Sequence, residues 1–296
     1  MLHAITTETG SITETNGALL LRMWNVAVPA GRRPLQHHRH FSFEIMHVNS
    51  GKGIYTTEHG EYDILPGDMF IFSSNEMHCI TYVESEGLQI TNLQFSPRFL
   101  QSHAPESRSK IGLGFCFQHH PDFSSRIPAS LSQNLSSLFF QIQKELICND
   151  NETALSVQAL LQLFLVSLIR HHGYLPENTA FMQEQWYGIQ PVIAYIEDHF
   201  SEKITLQELS SLTGLTPTYF STLFKQIVGI SLWNYIGSKR IDKAVCLLSS
   251  PDCRQNMLEI AARCGFQNSA NFNKTFRKFT GMTPSEYRSN KNNEIS

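Results

Sequence analysis

At 296 residues the chain has room for about two domains, and its 41% hydrophobic, 17% charged composition suits a globular protein able to bury real cores. No run approaches the ~18 uninterrupted apolar residues of a membrane span, and six scattered cysteines without a CxxC pair exclude a disulfide framework or a zinc finger and fit a reducing cytoplasm. The net charge of −3 conceals an asymmetry: residues 1–184 carry 11 Lys+Arg against 17 Asp+Glu, whereas residues 185–296 carry 12 against 9, as expected of a polyanion-binding module joined to an acidic remainder.

The opening "MLHAITTETGSITETNG" has neither a basic start nor an apolar run, so no secretory signal is expected. The first ~95 residues are short β-rich runs separated by Gly, Pro and Asn-type breaks: "ALLLRMWNVAV", "FEIMHVNSG", "GIYTTEHGEYDILPGD", "MFIFSS", "HCITYVE" and "LQITNLQF". Such spacing predicts a barrel or sandwich. Within it, His38-x-His40-x₃-Glu44-x₆-Gly51 and Gly67-x₅-Ser73-x-Asn75-x₂-His78 resemble the two motifs of the cupin superfamily, a small β-barrel. Ser73 and Asn75 depart from that family's Pro and Gly, and Tyr82 replaces the terminal Asn.

The resemblance implies two uses for the cluster. In metal-binding cupins the equivalents of His38, His40, Glu44 and His78 hold a divalent metal, and three imidazoles with one carboxylate are a sensible set for Fe, Mn, Ni or Zn. In the other use the same side chains line a cavity and hydrogen-bond a small effector, with Arg22, Trp24, His38, His40, Glu44 and His78 as candidates and no cofactor required. His37 and His47 are assigned to the opposite barrel face or the surface, and His59 to a hairpin turn; none of the three is taken as a ligand.

From Pro128 the texture changes. "ASLSQNLSSLFFQIQKELI" and "TALSVQALLQLFLVSLIRHH" have apolar residues at three- and four-residue spacing, predicting two amphipathic helices. Leu155, Leu160, Leu163, Leu165 and Ile169 form either a dimer seam or a face packed on the barrel. "HGYLPENTAFMQEQ" then reads as a linker, which sets the expected domains at 1–172, 173–186 and 187–296.

The last region holds an internal repeat. Leu209 matches Ile260 and Gly214 matches Gly265 at an offset of 51, while Phe220, Phe224, Lys225 and Gly229 match Phe272, Phe276, Arg277 and Gly281 at 52. Each copy opens with a capping box, Thr205 with Glu208 and Asn256 with Glu259, and Thr216 is placed to cap the second helix of the first copy. Helix, Gly-containing turn and helix make a helix-turn-helix unit. The paired Phe residues fix the inward faces, which leaves Thr218, Ser221, Thr222 and Lys225 outward on one copy and Ser269, Asn273, Lys274 and Arg277 outward on the other. Hydroxyls, amides and cations without carboxylates suit a phosphate backbone and base edges. "NYIGSKRIDKAVCLLSS" lies between as a longer helix, with Ile236, Ile241, Val245 and Leu247 or Leu248 buried and Lys239, Arg240 and Lys243 on its basic side. It would hold both reading helices for successive major grooves about 34 Å apart.

Over residues 189–288, and most specifically in "IAARCGFQNSANFNKTFRKFTGMTPSEYR", the sequence resembles the AraC/XylS family of bacterial transcription regulators. The resemblance implies an α+β protein: an N-terminal cupin-like β-barrel with accessory helices, then an all-α domain of two helix-turn-helix units. It implies a cytoplasmic, homodimeric transcription activator without enzymatic activity, working with RNA polymerase on double-stranded promoter DNA and controlled by a small molecule, sugars being frequent effectors. The alternatives are a metal-dependent cupin enzyme and a metal- or redox-sensing regulator with the same DNA-binding domain.

Overall fold

The computed structural model describes residues 5–13, 19–33, 42–57, 59–73, 76–100, 119–120, 122–175, 180–249 and 253–295. The chain divides into two compact units at Gln183/Glu184.

The first unit is an antiparallel sheet folded on itself, with two helices against it. Its strands are β1 (Ile5–Thr13), β2 (Leu19–Val28), β3 (Gly31–Arg32), β4 (Phe43–Thr57), β5 (Gly60–Ile64), β6 (Met69–Phe72), β7 (His78–Phe95) and β8 (Arg126–Ile127). The order along the sheet is β1-β2-β7-β4-β6-β8, with β3 on β7 and β5 on β4. Runs that look separate in sequence fuse into the long strands β4 and β7, which pair along nearly their whole length. They bend together at Gly51, Gly53 and Gly87, where the register shifts. A Cβ on Gly51 would lie 2.0 Å from the Gly87 carbonyl oxygen, and φ there is +87°, so only glycine fits. The strand β1 was not anticipated from its polar, threonine-rich sequence.

Side chains alternate across this folded sheet. One face gathers Met46, Val48, Tyr55, Phe70, Phe72, Leu88 and Ile90 into the barrel core. Residues of opposite parity face the helices α1 (Ala129–Cys148) and α2 (Thr153–His172): His47 lies against Phe139 and Phe140, as its assignment to the outer barrel face requires. Leu65-Pro66-Gly67-Asp68 forms a tight turn closed by Asp68 N–H on the Leu65 carbonyl, with Gly67 at φ +84°. It aims the buried Asp68 carboxylate at the start of α1, where one oxygen accepts from the Ala129 amide and the other from Arg126 at 2.8 Å. The helix thus borrows its cap from the sheet.

Of the five residues offered for a dimer seam, Leu165 is buried, Leu160 and Ile169 are half-buried, and Leu155 and Leu163 are exposed. Among the described residues α2 is long and apolar enough to cross a membrane by length and composition, but it packs against α1.

The second unit is helical: α3 (Ala180–His199), α4 (Leu206–Ser211), α5 (Pro217–Val228), α6 (Leu232–Ser249), α7 (Met257–Arg263), α8 (Ser269–Thr280) and α9 (Pro284–Ile295). Helix α3 starts inside the stretch assigned to the linker. Both capping boxes form as expected, and a third joins Thr283 and Glu286 at the start of α9. Thr216 occupies the N-cap position of α5 without a side-chain capping bond, whereas Asn268 caps α8 through the Asn271 amide at 2.8 Å. Both reading helices end in a left-handed glycine, Gly229 and Gly281, each at φ +79°. Around α6 a core of Ile241, Ala244, Leu248, Ile260, Phe272 and Phe276 supports the second helix-turn-helix unit. Each fully buried Phe contributes about 1.5–3 kcal/mol by leaving water.

Candidate nucleic-acid interface and effector site

The inward faces of α5 and α8 are set by the same i, i+4 pairs. Phe220, Phe224, Phe272 and Phe276 are fully buried, and within each pair the rings meet edge to face, with centroids 5.9 and 5.7 Å apart. Geometry then turns the remaining positions outward. Thr218, Thr222 and Lys225 are exposed on α5 and Ser221 is half-buried; Ser269, Asn273, Lys274 and Arg277 are all exposed on α8. Neither helix contains a carboxylate. Two copies of one unit therefore present acid-free polar faces from rigid helices.

The basic side of α6 is different from the sequence expectation, and this is a correction. Lys239 is 8% exposed and pairs with Glu197 at 2.6 Å, the same carboxylate oxygen that accepts from the Tyr235 hydroxyl. Arg240 donates to the Phe200 and Glu202 carbonyls at 2.7 and 2.9 Å, and Lys243 to the Ser201 hydroxyl. These three cations therefore hold α3 and the segment after it, and Lys239 in particular is engaged away from solvent. Glu197 is 42 positions away in sequence, too far for helical periodicity to reveal.

In the barrel, Arg22 and Trp24 are two apart on β2 and share a face; in register across β7 stand Gln94 and Asn92, and Glu44 of β4 pairs with Gln94. These side chains form a relay. Arg22 donates twice to Gln94 Oε1, at 3.0 and 2.6 Å, and Gln94 Nε2 donates to Glu44 Oε2. The other Glu44 oxygen faces His78 Nε2 at 3.9 Å, and His78 Nδ1 donates to the Glu76 carbonyl at 2.9 Å while its ring stacks on Phe72 at 4.0 Å. The Arg22 guanidinium lies 4.5 Å over the Trp24 ring, so that face of the indole is already covered.

Four of the six candidates, Arg22, Trp24, Glu44 and His78, are brought onto one barrel wall. His38 and His40 lie outside the described residues. For the metal set, Glu44 and His78 have the right chemistry and proximity, and His78 presents Nε2 with its proton held on Nδ1, the arrangement a metal-binding histidine uses.

Sequence reasoning missed Gln94, Asn92 and Tyr55. The signal was present for the first two: Asn92 and Gln94 of "LQITNLQF" alternate in step with Leu88 and Ile90, so they share a face with apolar side chains. Asn92 is 9% exposed, and its Oδ1 has no hydrogen-bond partner among the described residues. Burial first, and then the Glu44 charge, push the Tyr55 hydroxyl well above its ordinary range, so it stays protonated.

Comparison with known proteins agrees with both halves. An AraC-like ligand binding domain matches residues 28–168 and a helix-turn-helix domain matches residues 209–290. The HTH-type transcriptional activator RhaR of Yersinia pseudotuberculosis is 25% identical over 283 residues, 94% of this chain and 93% of that one. An uncharacterized HTH-type regulator of Staphylococcus aureus, SAS0078, is 25% identical over 226 residues, 75% of this chain and 28% of its own. Unsaturated fatty acid-bound ToxT from Vibrio cholerae shares the fold at a TM-score of 0.58 and 12% identity, over 94% of this chain and 97% of that one. With an AraC-like ligand binding domain followed in the chain by a helix-turn-helix domain, the chain belongs to the AraC/XylS family of transcription regulators.

Proposed function

We propose that this regulator is an activator whose occupancy of promoter DNA is set by a sugar or sugar derivative held in the barrel. The observation that carries the DNA half is the pair of carboxylate-free faces on α5 and α8, each fixed by its buried Phe pair. Thr218, Ser221 and Thr222 on α5, and Ser269, Asn273 and Lys274 on α8, approach base edges, while Lys225 and Arg277 meet phosphates. Relatedness to an HTH-type activator over nearly the whole chain supports the direction of control.

The effector half rests on the relay Arg22–Gln94–Glu44 and on the Asn92 oxygen beside Trp24. Vicinal hydroxyls both donate and accept, so a polyol can bridge a carboxylate, two amides and a guanidinium at once. The barrel works as a receptor without turnover, with no cofactor required for this role. The exposed Leu155 and Leu163 of α2 would meet a second copy, and the DNA-bound dimer works with RNA polymerase in the cytoplasm.

Fluorescence anisotropy on the chain's own upstream DNA, with and without a panel of monosaccharides and sugar acids, tests this reading. One sugar should shift the affinity or the footprint, and Glu44→Gln should abolish that shift while leaving basal DNA binding intact. Indifference to every ligand, with metal-dependent turnover of one of them, would establish the enzyme alternative instead.

A further inference from the structure

Away from the barrel relay, three side chains from three separate segments converge. His59 sits in the β4–β5 turn, Glu76 in the loop before β7, and His119 in the segment ahead of β8; their donor atoms all lie within 4.8 Å of one another. Each is held in place. The His59 amide is bonded to the Thr57 hydroxyl at 3.0 Å, which shapes the turn. The Glu76 carboxylate is buried, with Oε2 accepting from the Ser73 amide and Oε1 from the Ser125 hydroxyl, both at 2.9 Å. The His119 ring is walled by Phe123 and Tyr174.

The tautomer of His119 is decided by a neighbour. Its Nδ1 is 2.7 Å from the His120 carbonyl oxygen, which can only accept, so Nδ1 carries the proton. In the neutral ring Nε2 therefore has its lone pair directed out, and it stands 3.5 Å from Glu76 Oε2. A metal bonded at about 2.0–2.2 Å to both atoms would hold them roughly 3.3–3.6 Å apart at a tetrahedral angle, a range that includes the separation seen.

We propose that His59, Glu76 and His119 bind a divalent transition ion of the zinc class, with water completing the coordination. Two imidazoles and a carboxylate are the right donors. The backbone bond at His119 Nδ1 and the Ser73 and Ser125 bonds to Glu76 are the outer contacts that orient ligands in such centres. The exposed His59 turn needs to close by up to about 1.5 Å to complete the set. None of its three ligands belongs to the set containing Glu44 and His78, although His78 Nδ1 donates to the Glu76 carbonyl, and the inference does not depend on the effector's identity. It would tie the β4–β5 turn to a neighbourhood that includes Tyr174, whose hydroxyl bonds Ser73 at 2.7 Å and whose carbonyl accepts from the His120 amide.

The test is calorimetric titration of tag-free, full-length protein with Zn²⁺, repeated with Co²⁺ for its visible absorption. The wild type should bind an equivalent that His59→Ala and His119→Ala each weaken at least 10-fold, with loss of the Co²⁺ bands. The Glu44→Gln variant, which alters the other candidate set without touching these three ligands, should keep that equivalent. His59 is exposed, so His59→Ala should fold normally and carries the test if His119→Ala does not. No binding by the wild type, unchanged affinity in His59→Ala, or loss of the equivalent in Glu44→Gln would each overturn the proposal.

Discussion

Residues that look alike in sequence divide by what surrounds them. Asn273 on α8 is exposed beside Lys274 and Arg277, whereas Lys239 on α6 is buried against Glu197. Asn273→Ala should relax preference at particular bases by about 1–3 kcal/mol, measured on a library of operator variants, if its amide reads a base bidentately. Lys239→Ala should leave base preference and the salt slope of DNA binding as they were. Its cost should appear in thermal unfolding instead, at about 3–5 kcal/mol, because Glu197 would be left as a buried charge that keeps the Tyr235 hydroxyl but loses its ion-pair partner. A flattened salt slope in folded Lys239→Ala would return that residue to the DNA interface. His47 gives a pH readout of the sensor domain. Burial lowers its pKa below 6.5, against the opposing pull of its Asn49 hydrogen bond. The unfolded chain therefore takes up the proton first, so the contribution to stability is full above about pH 6.5 and is lost as pH falls through that value toward the folded pKa. The drop in Tm between about pH 7 and 5.5 should be smaller in His47→Gln.

At the scale of elements, what the sequence disclosed was whatever depends on short-range spacing. The capping boxes at Thr205 and Asn256, the buried Phe pairs and the glycine ends of α5 and α8 all follow from contacts within one helical turn or one tight turn. What it hid depends on distant partners. Asp68 caps α1 from 61 residues away, the basic side of α6 is bound by α3 and the segment after it, and the halves of β4 and β7 join only because each strand bends against the other. That bend is the most demanding backbone feature of the barrel. Gly51→Ala should lower the stability of the sensor domain by well over 2 kcal/mol, since its methyl would collide with the Gly87 carbonyl at a backbone angle alanine rarely adopts. Asn256→Ala, which removes only a cap, should cost about 1 kcal/mol. Chemical denaturation of the two variants separates these magnitudes, and near-equal losses would show that β4 and β7 can slide to a new register.

For the molecule as a whole, the two-part plan was legible because a β-rich half and a helical half differ in period and in charge. The candidate effector site was legible only in part. Its wall is assembled from β2, β4 and β7, and nothing local pairs Glu44 with Gln94 or sets Asn92 beside Trp24. The link between the halves is thermodynamic and runs both ways. If an effector changes promoter affinity by some factor, DNA must change effector affinity by the same factor, because both ligands bias one equilibrium between arrangements of the chain. Couplings of this kind usually amount to about 5–150-fold. Titrating the effector into free protein, and then into protein saturated with promoter DNA, should give a ratio of Kd values equal to the ratio found when DNA is titrated with and without effector. Glu44→Gln should weaken effector binding in both titrations, and Asn273→Ala should lower DNA affinity while the ratio survives. An effector that binds equally well in both states while still altering transcription would place its action after DNA binding, at the contact with polymerase.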